Sequence, residues 1–190
     1  VGGLKLLMIA LEKSGFSGVD ALHRSPPAST EQLLHPERYP ADQPIAVDFT
    51  LSKTALKGYK VALRNRLGEM GMRFLVSPTG KREAEAKELA NGWGGDRYAF
   101  LTKGKSSAFV AAVATDDQAA AKRYRRLLEI SLENRYSKPP KISQKGSVSS
   151  DGYTLTWRQE GRCLAWVEAP LDAPATSWLA AATQGCLKSK

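Results

Sequence analysis

The chain has 190 residues, of which 42% are hydrophobic and 25% are charged, the mix of an ordinary globular protein. That length suits one domain or two small ones and is enough to bury a core without metal or disulfide staples. The formal net charge of +9 makes an anionic partner worth considering. No apolar run approaches the roughly 20 residues that cross a bilayer, so no transmembrane segment is predicted.

Helical patterns dominate the first 92 residues. Apolar residues recur at spacings of three and four, although Gly15 and Gly18 interrupt the first run. A capping box is predicted at Ser29, whose side chain caps the backbone three residues on while Gln32 reaches back. Residues 46–49 are expected to form a brief extended piece. The predicted helices are 4–13, 53–75 and 81–91.

The second half changes to alternating patterns of strands, with turns between them. The polar stretch 137–150 is predicted to be a loop. The order of elements is ββα-ββα, so we predict an α+β fold, with a helical region over 1–92 and an antiparallel sheet over 93–190 that carries helices on one face. The predicted strands are 98–102, 108–115, 153–158 and 162–168, and the helices are 117–134 and a last one from Pro174 towards Gly185.

The residue clusters that catalysis requires are missing. Zinc needs three or four ligands, but His23 and His35 are the only histidines and no H-E-x-x-H is present. There is no G-x-S-x-G elbow for a nucleophilic serine. The glycines of 92–95 lack the Lys-Ser/Thr of a phosphate loop and follow a helix instead of a strand. We therefore predict no metal site and no cofactor in this chain.

The remaining charged and sulfur-containing groups leave alternatives open. The basic cluster of residues 122–126 lies on one predicted helix and is either a solvated face or a phosphate site. It lacks the companion motifs of nucleic-acid-binding modules, so no specific nucleic-acid binding is expected. Cys163 and Cys186 are either bridged, if the last helix packs on the preceding strand, or two buried thiols.

Two segments stand out because they are rich in residues that fix the backbone. The first is PPASTEQLLHPERY at 26–39, and the second is GWGGDRY at 92–98. On physical grounds the first is a capped turn and the second a tight corner from helix to strand. In that interpretation Trp93 and Tyr98 pack, and Asp96 either caps the backbone or pairs with Arg97.

In this order, the two segments resemble the C-terminal half of a family of bacterial zinc metallopeptidases of the gluzincin type. The resemblance implies an H-E-x-x-H helix and a third carboxylate ligand upstream of Val1, so zinc is implied only for that upstream half. It also implies an exported or envelope-bound protein. His35 and Glu31 would face the zinc cleft, where a histidine can stabilise an oxyanion. Tyr39, Trp93, Asp96 and Arg97 are the candidate binding residues.

Three hypotheses about function follow. The first is that the chain is the C-terminal, non-catalytic portion of a zinc-metallopeptidase-like protein, inert alone, with an apolar surface on its N-terminal helices where the catalytic half packs. The second is a free-standing binding or scaffolding module of the cell envelope, whose basic surface binds acidic polymers or lipid headgroups in a salt-sensitive way. The third, an enzyme of another type, needs a cleft with convergent polar groups.

Overall fold

The structure is a computed structural model that describes residues 2–133 and 140–189. Its centre is an antiparallel sheet of six strands in the order β1-β2-β3-β6-β5-β4. No helix of these residues is long and apolar enough to cross a membrane. The elements are α1 (Gly2–Arg24), α2 (Thr30–Leu34), a 3-10 turn (Pro36–Arg38), α3 (Lys53–Leu56), β1 (Lys60–Asn65), α4 (Gly68–Val76), α5 (Glu83–Ala90), β2 (Trp93–Lys103), β3 (Ser106–Thr115), α6 (Gln118–Glu133), β4 (Lys145–Ser150), β5 (Tyr153–Glu160), β6 (Cys163–Pro170) and α7 (Ala175–Leu187).

The two central strands, β3 and β6, are buried along most of their length. Their pairing sets Ala112 opposite Ala165 and Val113 opposite Leu164. Because successive side chains point to opposite faces, both faces of the central sheet are apolar. A sheet of this kind must be covered on both sides.

Helices accordingly lie on both faces of the sheet. On one face, α7 and the extended segment around Val47 and Phe49 pack on β3 and β6. On the other face, α4, α5 and α6 pack on the sheet around Trp93 and Trp166. The predicted α+β class is confirmed. The helices cover both faces of the sheet, however, where helices on one face were expected. The reason is that the central strands carry apolar side chains on both faces, and both must be covered.

The long helix predicted over 53–75 is wrong. The chain leaves α3 at Lys57 and Gly58, which both have positive φ, and then forms the edge strand β1. Helix α4 starts only at Gly68, which again has positive φ. Strand β1 pairs with β2, so the sheet extends into the region that was predicted to be helical. The apolar spacing of three and four came from two short helices with an exposed strand between them.

The loop predicted over 137–150 is wrong in its last part. Residues 134–139 lie outside the described residues, but Lys145–Ser150 forms the second edge strand, β4, paired with β5. The side chains of β4 are largely exposed on both faces, so its sequence shows no alternation. The expected extended piece at 46–49 is present as irregular chain that pairs with no strand.

The break predicted near the start of the chain is a kink within α1. Ser14 and Gly15 leave helical geometry, and the helix then resumes to Arg24. A side chain on Gly18 would collide with the carbonyl of Ala10, so the two halves of α1 fold closely against each other.

The two cysteines form a disulfide between β6 and α7. The Cα atoms of Cys163 and Cys186 are 6.0 Å apart, and both residues are buried. Helix α7 therefore does pack back on the strand that precedes it, which was the condition for the bridge.

Candidate functional site

The two unusual segments of the sequence meet at a cluster of buried polar side chains between α2, α4 and β2. Four of its members have at most 1% of their surface exposed, namely Glu31, Gln32, Glu69 and Asp96. Buried polar groups of this kind require hydrogen-bond partners. The cluster, here called the polar core, comprises Glu31, Gln32, His35, Arg38, Glu69, Arg73 and Asp96.

The start of α2 provides the first members of the polar core. The Ser29 hydroxyl accepts a hydrogen bond from the Gln32 N–H at 3.3 Å, which confirms the predicted cap. The Gln32 side chain does not return to Ser29. Its Oε1 accepts from the Ala28 N–H at 2.7 Å, and its Nε2 donates to the Asp42 carbonyl at 2.6 Å. The amide therefore ties α2 to the loop that follows the 3-10 turn.

Glu31 points inward and meets a single cation. Arg38 Nη1 lies 2.5 Å from Glu31 Oε1, and Arg38 Nη2 donates to Asn91 Oδ1 at 3.2 Å. Burial, together with the nearby carboxylates of Asp42 and Asp116, raises the pKa of Glu31 to about 8 in spite of Arg38. Glu31 is therefore largely protonated at neutral pH and acts as a buried neutral acid.

His35 and Arg73 share the second buried acid. Glu69 is fully buried, and His35 Nε2 lies 3.1 Å from its carboxylate. Arg73 Nη2 lies 2.5 Å from Glu69 Oε1, one helical turn along α4. The His35 side chain keeps 20% of its surface exposed, and its Nδ1 lies 3.7 Å from the outer carboxylate of Glu37. The inner edge of the imidazole is thus held by Glu69, and the other edge faces outward.

Asp96 lies where the second segment contacts the start of α4. Its carboxylate accepts hydrogen bonds from the N–H groups of Leu67 and Gly68 at 2.7 and 2.8 Å, and from the indole Nε1 of Trp93 at 3.0 Å. Burial raises the pKa of Asp96, while these hydrogen bonds oppose the rise. Asp96 was predicted either to cap the backbone or to pair with Arg97, and the structure shows that it caps the backbone at the start of α4.

The other predicted site residues are spread out. Arg97 pairs with Asp48 instead of Asp96, with Nε 3.5 Å from Oδ1. The Tyr39 hydroxyl donates to the Ser25 carbonyl, next to the cis Tyr39-Pro40 bond. Trp93 is 2% exposed and belongs to the core. The two segments therefore do come together, but Tyr39, Trp93 and Arg97 make packing and hydrogen-bond contacts between elements and do not line a common binding site.

One of the cavities borders the polar core, and a larger one lies away from it. Arg73 borders a groove of about 270 Å³ with Leu34, Met70 and Phe74. A larger hollow of about 460 Å³ on the α6 face of the sheet is lined mainly by aromatic and leucine side chains, and none of the polar-core residues lines it. Its floor includes Tyr98, stacked on Phe109 at 5.4 Å. In the part of the chain that the structure describes, no three His, Cys, Asp or Glu side chains are grouped to hold a metal.

Sequence reasoning missed Glu69 and Arg73. Both fell inside the long helix that was predicted, where an acid and a base four residues apart suggest a solvated pair. The available signal was Gly68, because a glycine can mark the start of a new helix. A helix that starts there places Glu69 in its first turn, where the structure buries it. Nothing in the local sequence indicates that His35 would be its partner.

Comparison with known proteins identifies the family to which the chain belongs. A family model described as "Domain of unknown function (DUF8575)" matches residues 58–177. The chain belongs to this family. The matched region runs from the corner before β1 into α7 and contains Glu69 and Asp96, whereas Glu31 and His35 precede it. No curated protein and no solved structure matches the chain.

Asp96 gives the first prediction. Replacing Asp96 with Ala leaves three N–H donors without an acceptor, so the free energy of unfolding should fall by about 3 kcal/mol or more. Asp96→Asn keeps one accepting oxygen and should cost less. Urea denaturation measures both, with Asp20→Ala on the exposed surface of α1 as the control. Equal stability of Asp96→Ala and the control would show that the cap is unimportant.

Glu31 gives a prediction about pH. Its pKa rises from 4.5 in the unfolded chain to about 8 in the folded one, so the folded state retains a proton that the unfolded state has lost. This contribution to stability is complete below pH 4.5 and disappears as the pH rises through 8. Glu31→Gln should therefore flatten the decline of unfolding free energy over that range.

The matched control for Glu31 is Glu37→Gln, on the same segment but with an exposed side chain. It should leave the pH profile of the wild type unchanged. If Glu31→Gln and wild type decline in parallel between pH 5 and 8, about the span of the shift, Glu31 does not hold the proton.

Proposed function

We propose that this chain is the non-catalytic portion of a zinc-metallopeptidase-like protein and that it works by packing α1 against the zinc-binding part. The observation that carries the proposal is the surface of α1. Leu4, Leu7, Met8 and Leu11 are between 37% and 65% exposed. The zinc and its ligands belong, in this proposal, to the other part of the protein.

The exposed apolar side chains lie opposite the face of α1 that is already packed. At 100° per residue, Leu4, Leu7, Met8 and Leu11 share one side of the helix, whereas Leu6, 5% exposed, points to the other. A helix that is apolar on both sides is typical of one buried on both sides. Burying a fully exposed leucine side chain contributes about 1.5–3 kcal/mol, so covering these partly exposed side chains would contribute part of that amount for each residue.

The position of α1 connects this stripe to the first sequence segment. A side chain on Gly2 would come within 2.6 Å of the Leu33 carbonyl, and Pro36 and Tyr39 line a small groove with the inner face of α1. Helix α1 therefore lies between the outer stripe and the segment that contains His35. In this proposal the part of the His35 side chain that remains exposed would meet a substrate carbonyl, whereas the buried Glu31 holds Arg38.

The disulfide supports an extracytoplasmic location in the same proposal. Structural disulfides persist in oxidising compartments and are rare in the cytosol. Cys163–Cys186 joins the last strand to the last helix inside the core. The family resemblance to exported metallopeptidases points in the same direction.

The α1 surface is tested on the isolated chain. Leu7→Asp with Leu11→Asp should lower the binding of a hydrophobic fluorescent dye and any self-association in sedimentation experiments, while the free energy of unfolding changes by less than about 1 kcal/mol, since both residues are exposed. Lys5→Asp adds an aspartate to the same helix beside the stripe and should leave dye binding unchanged. Wild-type chain that binds no dye would contradict the proposal.

The zinc-binding part is tested by metal content and by the coding sequence. We expect the purified chain to retain far less than one equivalent of zinc after dialysis and to cleave no peptide. An upstream coding region should contain H-E-x-x-H, and its product should bind zinc and lose its association with this chain in the Leu7→Asp, Leu11→Asp variant. Tightly bound stoichiometric zinc in the chain alone would overturn the proposal.

A further inference from the structure

Exposed lysines gather at one end of the sheet. They come from two separate segments, the α3–β1 corner and the turn between β2 and β3. All of them are exposed. The cluster, here called the lysine end, comprises Lys53, Lys57, Lys60, Lys103 and Lys105.

Backbone pairing and side-chain contacts bring these segments together. Lys60 pairs with Thr102 across β1 and β2, which sets the corner beside the turn. A methyl group on Gly58 would lie 3.6 Å from Lys103 Cε, and Lys103 Nζ lies 5.5 Å from the centre of the Tyr59 ring. The ammonium group of Lys103 is therefore held over an aromatic ring, close to the lysines on either side of Tyr59.

Carboxylates do not balance this charge. Among the residues that the structure describes, the salt bridges involve none of these lysines. By contrast, Lys87 on α5 pairs with Glu83, and Arg126 on α6 pairs with Glu129. The Asp172 carboxylate is close enough to Tyr59 to help raise the pKa of its hydroxyl, so a carboxylate does lie near the lysine end, but it forms no salt bridge with these lysines.

An exposed apolar side chain lies at the same end of the sheet. Leu171 follows β6 and is 61% exposed, and its N–H donates to the Gly152 carbonyl at 3.1 Å. Because β3 and β6 are antiparallel, with Phe109 opposite Glu168, the end of β6 lies beside the start of β3 and hence beside the β2–β3 turn. An exposed leucine beside lysines combines apolar burial with attraction to anionic lipid, the two contributions that bind a protein surface to a membrane interface.

We propose that the lysine end docks on an anionic phospholipid surface, with the ammonium groups on the phosphates and Leu171 at the level of the headgroups. Attraction to anionic lipid contributes roughly fivefold in affinity per lysine. Nucleic acid is disfavoured, because single-strand binding relies on exposed aromatic rings and Tyr59 is 4% exposed. The proposal is independent of α1, which lies in another part of the sequence.

The test uses the whole chain and sedimentation with vesicles of phosphatidylcholine, alone or mixed with phosphatidylglycerol. The wild type should bind only the mixed vesicles, and binding should weaken as salt is added. The triple variant Lys57→Gln, Lys60→Gln, Lys105→Gln should lower the affinity by about 100-fold. Leu171→Ser should lower the affinity and leave its salt dependence unchanged.

The matched control is Lys81→Gln, Lys122→Gln, Lys188→Gln, which removes the same charge from exposed lysines elsewhere and should cost less than about threefold. Equal losses in the two triple variants would mean that net charge alone acts and would overturn the proposal. So would failure of the wild type to bind the mixed vesicles. An oligonucleotide that displaces the protein from vesicles and loses its binding in the same variant would assign the surface to nucleic acid instead.

Discussion

The hydrogen bonds that Asp96 accepts hold the two halves of the molecule together. Its carboxylate fixes the first turn of α4 to β2, and the Met70 N–H of that turn donates to the Thr30 hydroxyl at 3.2 Å. The start of α4 is therefore held from the sheet and from α2 at once. Only with α4 in this position does Glu69 reach His35. The polar core, the position of α2 and the packing of α1 on α2 all depend on this one capped helix start.

Three buried acids next to each other carry a cost that a purely apolar junction would avoid. Glu31 reduces the cost by keeping its proton, Glu69 by meeting two basic side chains, and Asp96 by accepting three hydrogen bonds. Each solution requires a particular partner in a particular place. The junction is thereby specific in geometry, and it fixes the orientation of His35 and α1 relative to the sheet.

Much of the fold could be predicted where burial differs between the two sides of an element. Strand β5 and helix α6 each bury one side more than the other, so their periods were visible in the sequence. Strands β3 and β6 are buried on both faces and were visible as short apolar runs between turns. The edge strands β1 and β4 expose both faces and carry no such period. For the site, the cap at Ser29 is local and was predicted, whereas the Glu69–His35 contact joins residues 34 positions apart and depends on a helix start that the sequence pattern concealed.

The alanine-rich centre of the sheet has a consequence for how this family can vary. Ala112 and Ala165 face α7 with no exposed surface, and a side chain on Gly185 would collide with the carbonyl of Asp48. The helix and the sheet therefore pack closely here, and a larger side chain at these positions would overpack the core. Within the family, substitutions should therefore be found mainly in the edge strands, while the total side-chain volume at the centre of the sheet stays nearly constant.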